Sequence, residues 1–349
     1  MLQAPYPLQY GLTRSYARAS LVELETRPRS QLKPASAQDV ACGHLLPWMR
    51  ERGWPLSAVS AFSQEVQGVL AWLDWALNGK KLVTVAPALT QAFERSDCGD
   101  MRISDVLDSA SFTTYLHFEG PLAQRISYFP SSSFEGAFVI SRPDTALRVV
   151  LCSKAPPDSP LTERWKERYD LRIAREHFDI PADTAIDLAL ADDLRDLQVA
   201  QDTLQARGST AEAQQAAALC TRMREGHPAY CQALRLVLNA LAYLKAYPQL
   251  QSSAWTDGAP PRLVNQVLTG SDTERRRASS KLWALGHIPV QRIGQEFAKP
   301  SAQSDAPLSA HWRRGHWRHQ PHGPAFSLRK LIWIQPMLVG ADNLSATSP

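Results

Sequence analysis

The sequence predicts an α+β fold: a central antiparallel sheet with flanking helices and a basic C-terminal β-hairpin. Three observations predict it. Four short β-prone runs follow one another between 112 and 153, separated by turns of hairpin length. Apolar residues at helical spacing lie on both sides of them. A turn-split pair of strand-like segments, rich in Arg, His and Trp, follows at 311–335.

Residues 1–80 read as a helical N-terminal region. The opening to Pro34 is mixed in character, and the patch from Thr26 to Ser30 reads as loop. Gln38 to Arg52 has weak helical periodicity, interrupted by Gly43 and Pro47. Ala58 to Leu77 is stronger: Val66, Val69, Leu70, Leu73, Ala76 and Leu77 recur at three- and four-residue steps, and Asn78-Gly79 stops the helix. Trp72 and Trp75 on this helix are read as packing residues.

Residues 81–155 form the sheet region. Lys81 to Val85 is a short β-branched run; Pro87 suits the first turn of a helix ending near Phe93, and Ile103 to Ala110 suits another. Strands are expected over Phe112–Phe118, Ala123–Phe129, Phe134–Ser141 and Leu147–Ser153. Residues 156–300 are read as helical, through Ile186–Gln205, Ala213–Glu225, Pro228–Tyr247 and Ser271–Leu285. Leu236, Val237, Ala240, Leu241 and Leu244 make the third of these the most regular, and Pro248 ends it. Residues 301–349 are read as a polar linker (Pro300 to Pro307), the hairpin and a frayed tail after Gly340. The hairpin's strands lie near Trp312–His319 and Ser327–Gln335, with a turn at 321–324, and it is expected to add to the sheet.

Composition bounds the function. Hydrophobic residues make up 44% of the 349 and charged residues 21%, within the globular range. The longest apolar runs are too short or interrupted to span a bilayer, and Met1 to Tyr10 lacks the charged region of a secretory signal. Five scattered cysteines with no CxxC pair read as reduced thiols, so a cytoplasmic protein is expected. Residues 271–349 hold 11 Lys+Arg and 5 Asp+Glu, against 27 and 29 in the rest, so the excess positive charge is C-terminal. No phosphate-binding loop, dinucleotide fingerprint, zinc-protease helix or nucleophile elbow is present; neither a small-molecule cofactor nor a membrane partner is expected.

The candidate binding surface is His311, Trp312, Arg313, Arg314, His316, Trp317, Arg318, Arg329, Lys330 and Trp333. The cations suit phosphates and the indoles suit stacked bases, and no acidic residue intervenes between Asp305 and Asp342. Two other roles remain open for the segment: peptide contact along the hairpin edge, and packing of the tryptophans on the chain's own core. Four histidines (His311, His316, His319 and His322) invite a metal reading. However, positions 316 and 319 face opposite sides of a strand, and the segment adds no Cys or carboxylate, so no metal is expected. A nuclease using His316 or His319 as general base has no marked partner residue. The acidic run from Asp187 to Asp196 reads as a helix start or solvated face.

The string His311-Trp-Arg-Arg-Gly-His-Trp317, followed by a strand ending Trp333-Ile-Gln-Pro336, resembles the closing motif of a type V-A anti-CRISPR family. Val290 to Glu296, Lys81 to Phe93, Ile103 to Phe118 and the apolar helix Leu234 to Tyr247 are similar to segments the family places upstream. The resemblance implies a mobile-element-encoded regulator that recognises the N-terminal sequence of the CRISPR effector nuclease during translation and causes loss of its mRNA. Its implied partners are nascent peptide, mRNA or ribosome, and it carries over no catalytic residue. The alternative is a general RNA-binding protein using the hairpin. The chain departs from the family in a longer N-terminus and an insertion around Pro156 to Glu225.

Overall fold

A mixed sheet lies between two helical layers. The computed structural model describes residues 5–27, 34–53, 59–119, 127–129, 132–154, 168–297 and 311–339. The expected linker and the frayed tail lie outside these residues.

Helices α1 (Tyr6–Thr13), α2 (Ser15–Thr26), α3 (Pro34–Glu51) and α4 (Val59–Leu77) form the first layer. The sequence reading missed α1 and α2, because α1 is only eight residues long and holds Pro7 and Gly11, and Ser15, Arg18 and Ser20 dilute the apolar spacing of α2. Their buried residues Tyr6, Tyr10, Tyr16, Ala17, Leu21 and Leu24 still fall on one side. Tyr16 donates a 2.6 Å hydrogen bond to buried Glu65 of α4, and Tyr10 adds a longer one. Trp72 and Trp75 are packing residues as expected; their indoles donate to the carbonyls of Pro7 and Lys81.

The sheet comprises β1 (Leu82–Val85), β3 (Phe112–Phe118), β4 (Ser127–Phe129), β5 (Ser132–Arg142), β6 (Ala146–Lys154), β7 (Arg168–Ala174), β8 (Ser252–Trp255) and β9 (Pro289–Ile293). Its order is β7-β6-β5-β3-β1-β9-β8, with β4 paired to β5. Antiparallel pairing runs from β3 through β5 to β6, as expected, and continues into β7, which was not expected. β3 pairs with β5 directly, so β4 does not lie between them, and 123–126 of the expected second strand lie outside the described residues. The whole sheet is mixed, because β1 runs parallel to both β3 and β9. The cause is the helical crossover between β1 and β3, made by α5 (Pro87–Glu94) and the short α6 (Ile103–Val106). Side chains alternate between two cores. Leu82, Tyr115, Phe138 and Ile140 face α1–α4, while Val83, Val85, Leu116, Ala137 and Val139 face the opposite layer.

That opposite layer contains α5, α7 (Ala182–Ala206) and α8 (Thr210–Ala246). The stretch read as helical, 156–300, therefore also carries three strands, β7, β8 and β9. In β7, Leu171 and Ile173 alternate with Arg168, Asp170 and Arg172, a period-two pattern hidden by its charges. α8 continues through Pro228, where two helices were expected. Cys220 and Met223 before the proline and Tyr230 and Cys231 after it are all buried, so packing holds both halves in line. Two further helices follow, α9 (Pro261–Thr269) and α10 (Asp272–Ala284); Ser271 and Glu274 cap α10 reciprocally.

The hairpin is β11 (Gly315–His322) with β12 (Leu328–Ile334), extended by β10 (His311–Arg313) paired to β13 (Met337–Val339). It does not join the central sheet. Instead β11 pairs in parallel with β2 (Ser96–Asp97), making a separate three-stranded sheet beside α8.

Candidate functional site

Trp317 lies opposite Trp333 in the hairpin, and opposed residues share a face. The inner face therefore carries Trp317, His319, Leu331 and Trp333. The outer face carries His316, Arg318, Gln320 and His322 across from Ile334, Ile332, Lys330 and Leu328.

The inner face is anchored at both indoles. Trp317 is fully buried, and its Nε1 donates to Oδ1 of Asn239 on α8 at 2.6 Å. Because an indole only donates, the amide of Asn239 must turn its oxygen toward it, and Nδ2 has no partner among the described residues. Trp333 Nε1 donates to Ser96 Oγ at 3.1 Å. The two indoles stack with centroids 6.2 Å apart, and Phe93, Tyr243 and Phe297 pack around Trp333. Two glycines permit this approach. A Cβ on Gly315 would lie 2.4 Å from Ser96 Oγ, and one on Gly99 (φ +58°) 2.3 Å from the Trp317 carbonyl oxygen. Trp317 and Trp333 are therefore packed on the chain's own core, one of the roles left open for them, and neither stands exposed for a base to stack on.

Among the hairpin's cations Arg318 and Lys330 lie on the outer face, while Arg329, opposite Pro321, follows the inner register at the turn end. Arg313, Arg314, Arg318, Arg329 and Lys330 are exposed. Arg314 meets Asp97 at 2.8 Å in a solvent-exposed pair of small energetic weight. Arg318 donates to Gln320 and Arg329 to the Phe326 carbonyl. Among the described residues, neither these two nor Lys330 meets a carboxylate. The histidines divide as strand alternation requires: His319 turns inward to Asp105 at 3.1 Å, while His316 and His322 turn outward. The backbone of His311 and Trp312 lies in β10, and their side chains lie outside the described residues. Aliphatic groups interleave with the outer cations, including Leu328, 52% exposed, with Phe326, 70% exposed, at the turn.

The edge of β12 away from β11 has no paired strand among the described residues. There the Trp333 N–H donates to the Tyr247 hydroxyl at 3.2 Å, and alternation aims the N–H groups of Leu331 and Arg329 the same way. Tyr247 also lines a cavity of about 370 Å³ with Tyr243, Glu296, Phe297 and Trp333. Tyr243 donates its phenol proton to Glu296. Burial first, then that bond, raises the Tyr243 pKa well above the ordinary phenol range, so the hydroxyl remains a donor. Of these cavity residues only Trp333 was singled out from sequence as a site residue. Asn239, Ser96 and Tyr247, which seat the hairpin, gave no local signal.

All five cysteines are free thiols, and among the described residues no helix is long and apolar enough to cross a membrane. No curated protein matches the chain. It is similar to a solved structure described as the crystal structure of AcrVA2, at 11% identity and a TM-score of 0.43, over 97% of this chain and 100% of that one. The family model described as AcrVA2-like, Anti-CRISPR type V subtype A2 family, matches residues 46–341. That span takes in the sheet, α4 of the first helical layer, the opposite layer and the hairpin, and on it the chain belongs to the AcrVA2-like anti-CRISPR family.

Proposed function

We propose that the chain lowers synthesis of a CRISPR effector nuclease by binding the effector's N-terminal segment during translation, with loss of the translated mRNA. Family membership supports the target class. The observation that carries the peptide reading is the β12 edge, unpaired among the described residues, with an aromatic cavity beside it. An extended peptide adding to such an edge gains main-chain hydrogen bonds, and the adjacent cavity takes one of its side chains. The outer face, with Arg318 and Lys330 among Ile332, Ile334 and Leu328, suits a segment of mixed acidic and apolar residues.

A second reading is RNA contact through Arg313, Arg314, Arg318, Arg329 and Lys330. It is favoured by five cations in a segment without a carboxylate. Burial of Trp317 and Trp333 weakens it, since those two indoles are then not available for base stacking.

Co-expression with reporters fused behind the effector's first codons separates the two. Under the peptide reading, synonymous recoding keeps the loss of reporter mRNA, and a frameshift that preserves the nucleotides abolishes it. The RNA reading predicts the reverse. Unchanged mRNA and protein with every reporter overturns both.

A further inference from the structure

Outside the hairpin, three side chains from two helices converge: Asp187 of α7, and His227 and Cys231 one turn apart on α8. Sγ of Cys231 lies 3.6 Å from Asp187 Oδ1. The His227 imidazole completes the triangle, with Nε2 3.9 Å from Sγ and 3.9 Å from Asp187 Oδ1. We propose that these three residues bind a borderline divalent transition ion of the Zn²⁺ class, clamping α7 to α8 and leaving one coordination position open.

The argument is geometric. Tetrahedral zinc with ordinary Zn–S, Zn–N and Zn–O bonds places its ligand atoms about 3.3–3.6 Å from one another. The observed triangle needs a contraction of a few tenths of an ångström, which rotation of the exposed imidazole supplies. The donor set, one thiolate, one imidazole and one carboxylate, selects Zn²⁺ or Co²⁺ over Mg²⁺ or Ca²⁺. Cys231 is buried at the base, while the Asp187 and His227 side chains are 61% and 47% exposed, so an ion has a path in from solvent. The field is favourable, because α7 carries six aspartates against one arginine. Burial, then Asp187, pushes the Cys231 thiol up to about 11, so an ion entering the site displaces a proton.

The test is titration of the purified full chain with Co²⁺. A thiolate-to-cobalt charge-transfer band is followed, and the ion is then competed off with Zn²⁺. The expected result is one equivalent per chain, a band bleached by Zn²⁺ and absent in Cys231→Ser, and affinity lowered at least about tenfold in His227→Ala and in Asp187→Asn. The last two variants change exposed side chains and keep the test valid if Cys231→Ser does not fold. No band, a band retained in Cys231→Ser, or a band and affinity unchanged in both other variants overturns the proposal. None of these readouts depends on the hairpin's partner.

Discussion

Two hairpins face the same side of the central sheet, one of strands and one of helices, and their charges are opposite. The segment 311–339 carries five Arg or Lys and no carboxylate; α7 carries six aspartates and only Arg195. In the helical pair several of these charges are answered locally. Asp183 meets Arg235 at 2.6 Å, Asp192 meets Arg195 at 2.8 Å, and Asp193 accepts from Tyr169 at 2.8 Å. In the strand pair the inner face does the anchoring through neutral indoles, and Arg318, Arg329 and Lys330 are left to solvent. Charge that folding does not use is charge a partner can use, and the difference separates what holds the hairpin from what it presents.

The most damaging way to break this contrast is Trp317→Ala. It opens a cavity in the core and strands the Asn239 amide, at a cost of about 3–5 kcal/mol in denaturant unfolding. A loss below about 1 kcal/mol would mean that the indole does not anchor the hairpin. Gly315→Ala is next. Its Cβ meets Ser96 and the Ile334 carbonyl, so the strand must shift, costing about 1–3 kcal/mol in the same measurement.

On the helical side, Asp193→Asn is expected to stabilise. Burial, aided by Asp170, Asp196 and Asp192 and opposed by the Tyr169 hydrogen bond, pushes the Asp193 carboxyl up to about 6. The folded state thus holds its proton more tightly than the unfolded chain, whose carboxyl titrates near 3.8. The penalty is absent below the unfolded value and is complete once pH has risen through 6. The Asn variant should gain about 1 kcal/mol at pH 7, after allowing for solvent screening, and nothing at pH 3.5. An equal gain at both pH values would sink this account.

The smallest effect on stability, within about 0.5 kcal/mol, is expected from Arg318→Ala with Lys330→Ala. Under the proposed function that double variant loses reporter repression while keeping the wild-type melting temperature. Full repression would detach the outer face from activity.

The sequence made some of this legible and concealed the rest for physical reasons. The hairpin, its turn and the serine cap of α10 follow from local chemistry, because turn and cap preferences act over a few residues. The alternation of β7 was also present, but Arg168, Asp170 and Arg172 disguised a strand as a charged stretch. Parallel pairing of β1 depends on two distant strands, and nothing within Leu82–Val85 encodes it. Trp317 and Trp333 suit stacked bases and core packing equally well in sequence, since their destination is decided by Asn239 and Ser96 elsewhere in the chain. The family resemblance was readable from the basic segment, and the match over 46–341 establishes membership. For the Asp187, His227 and Cys231 cluster the only local trace was the four-residue step between His227 and Cys231. Without Asp187 from the neighbouring helix, that step describes nothing more than two residues on one side of α8.

The indole contacts of the hairpin also order events in time. Trp333 reaches back 237 residues to Ser96, and Trp317 reaches back 78 to Asn239. Ribosomes add roughly 5–20 residues per second, so Ser96 waits on the order of tens of seconds for its partner. Through that interval Phe93 lacks the aromatic lid that later covers it, and Tyr243 lacks it from its own later synthesis onward. Closure of this part of the core is paced by synthesis rather than by conformational search. A chain released before β12 would leave an oily seam open, a natural target for chaperones and proteases.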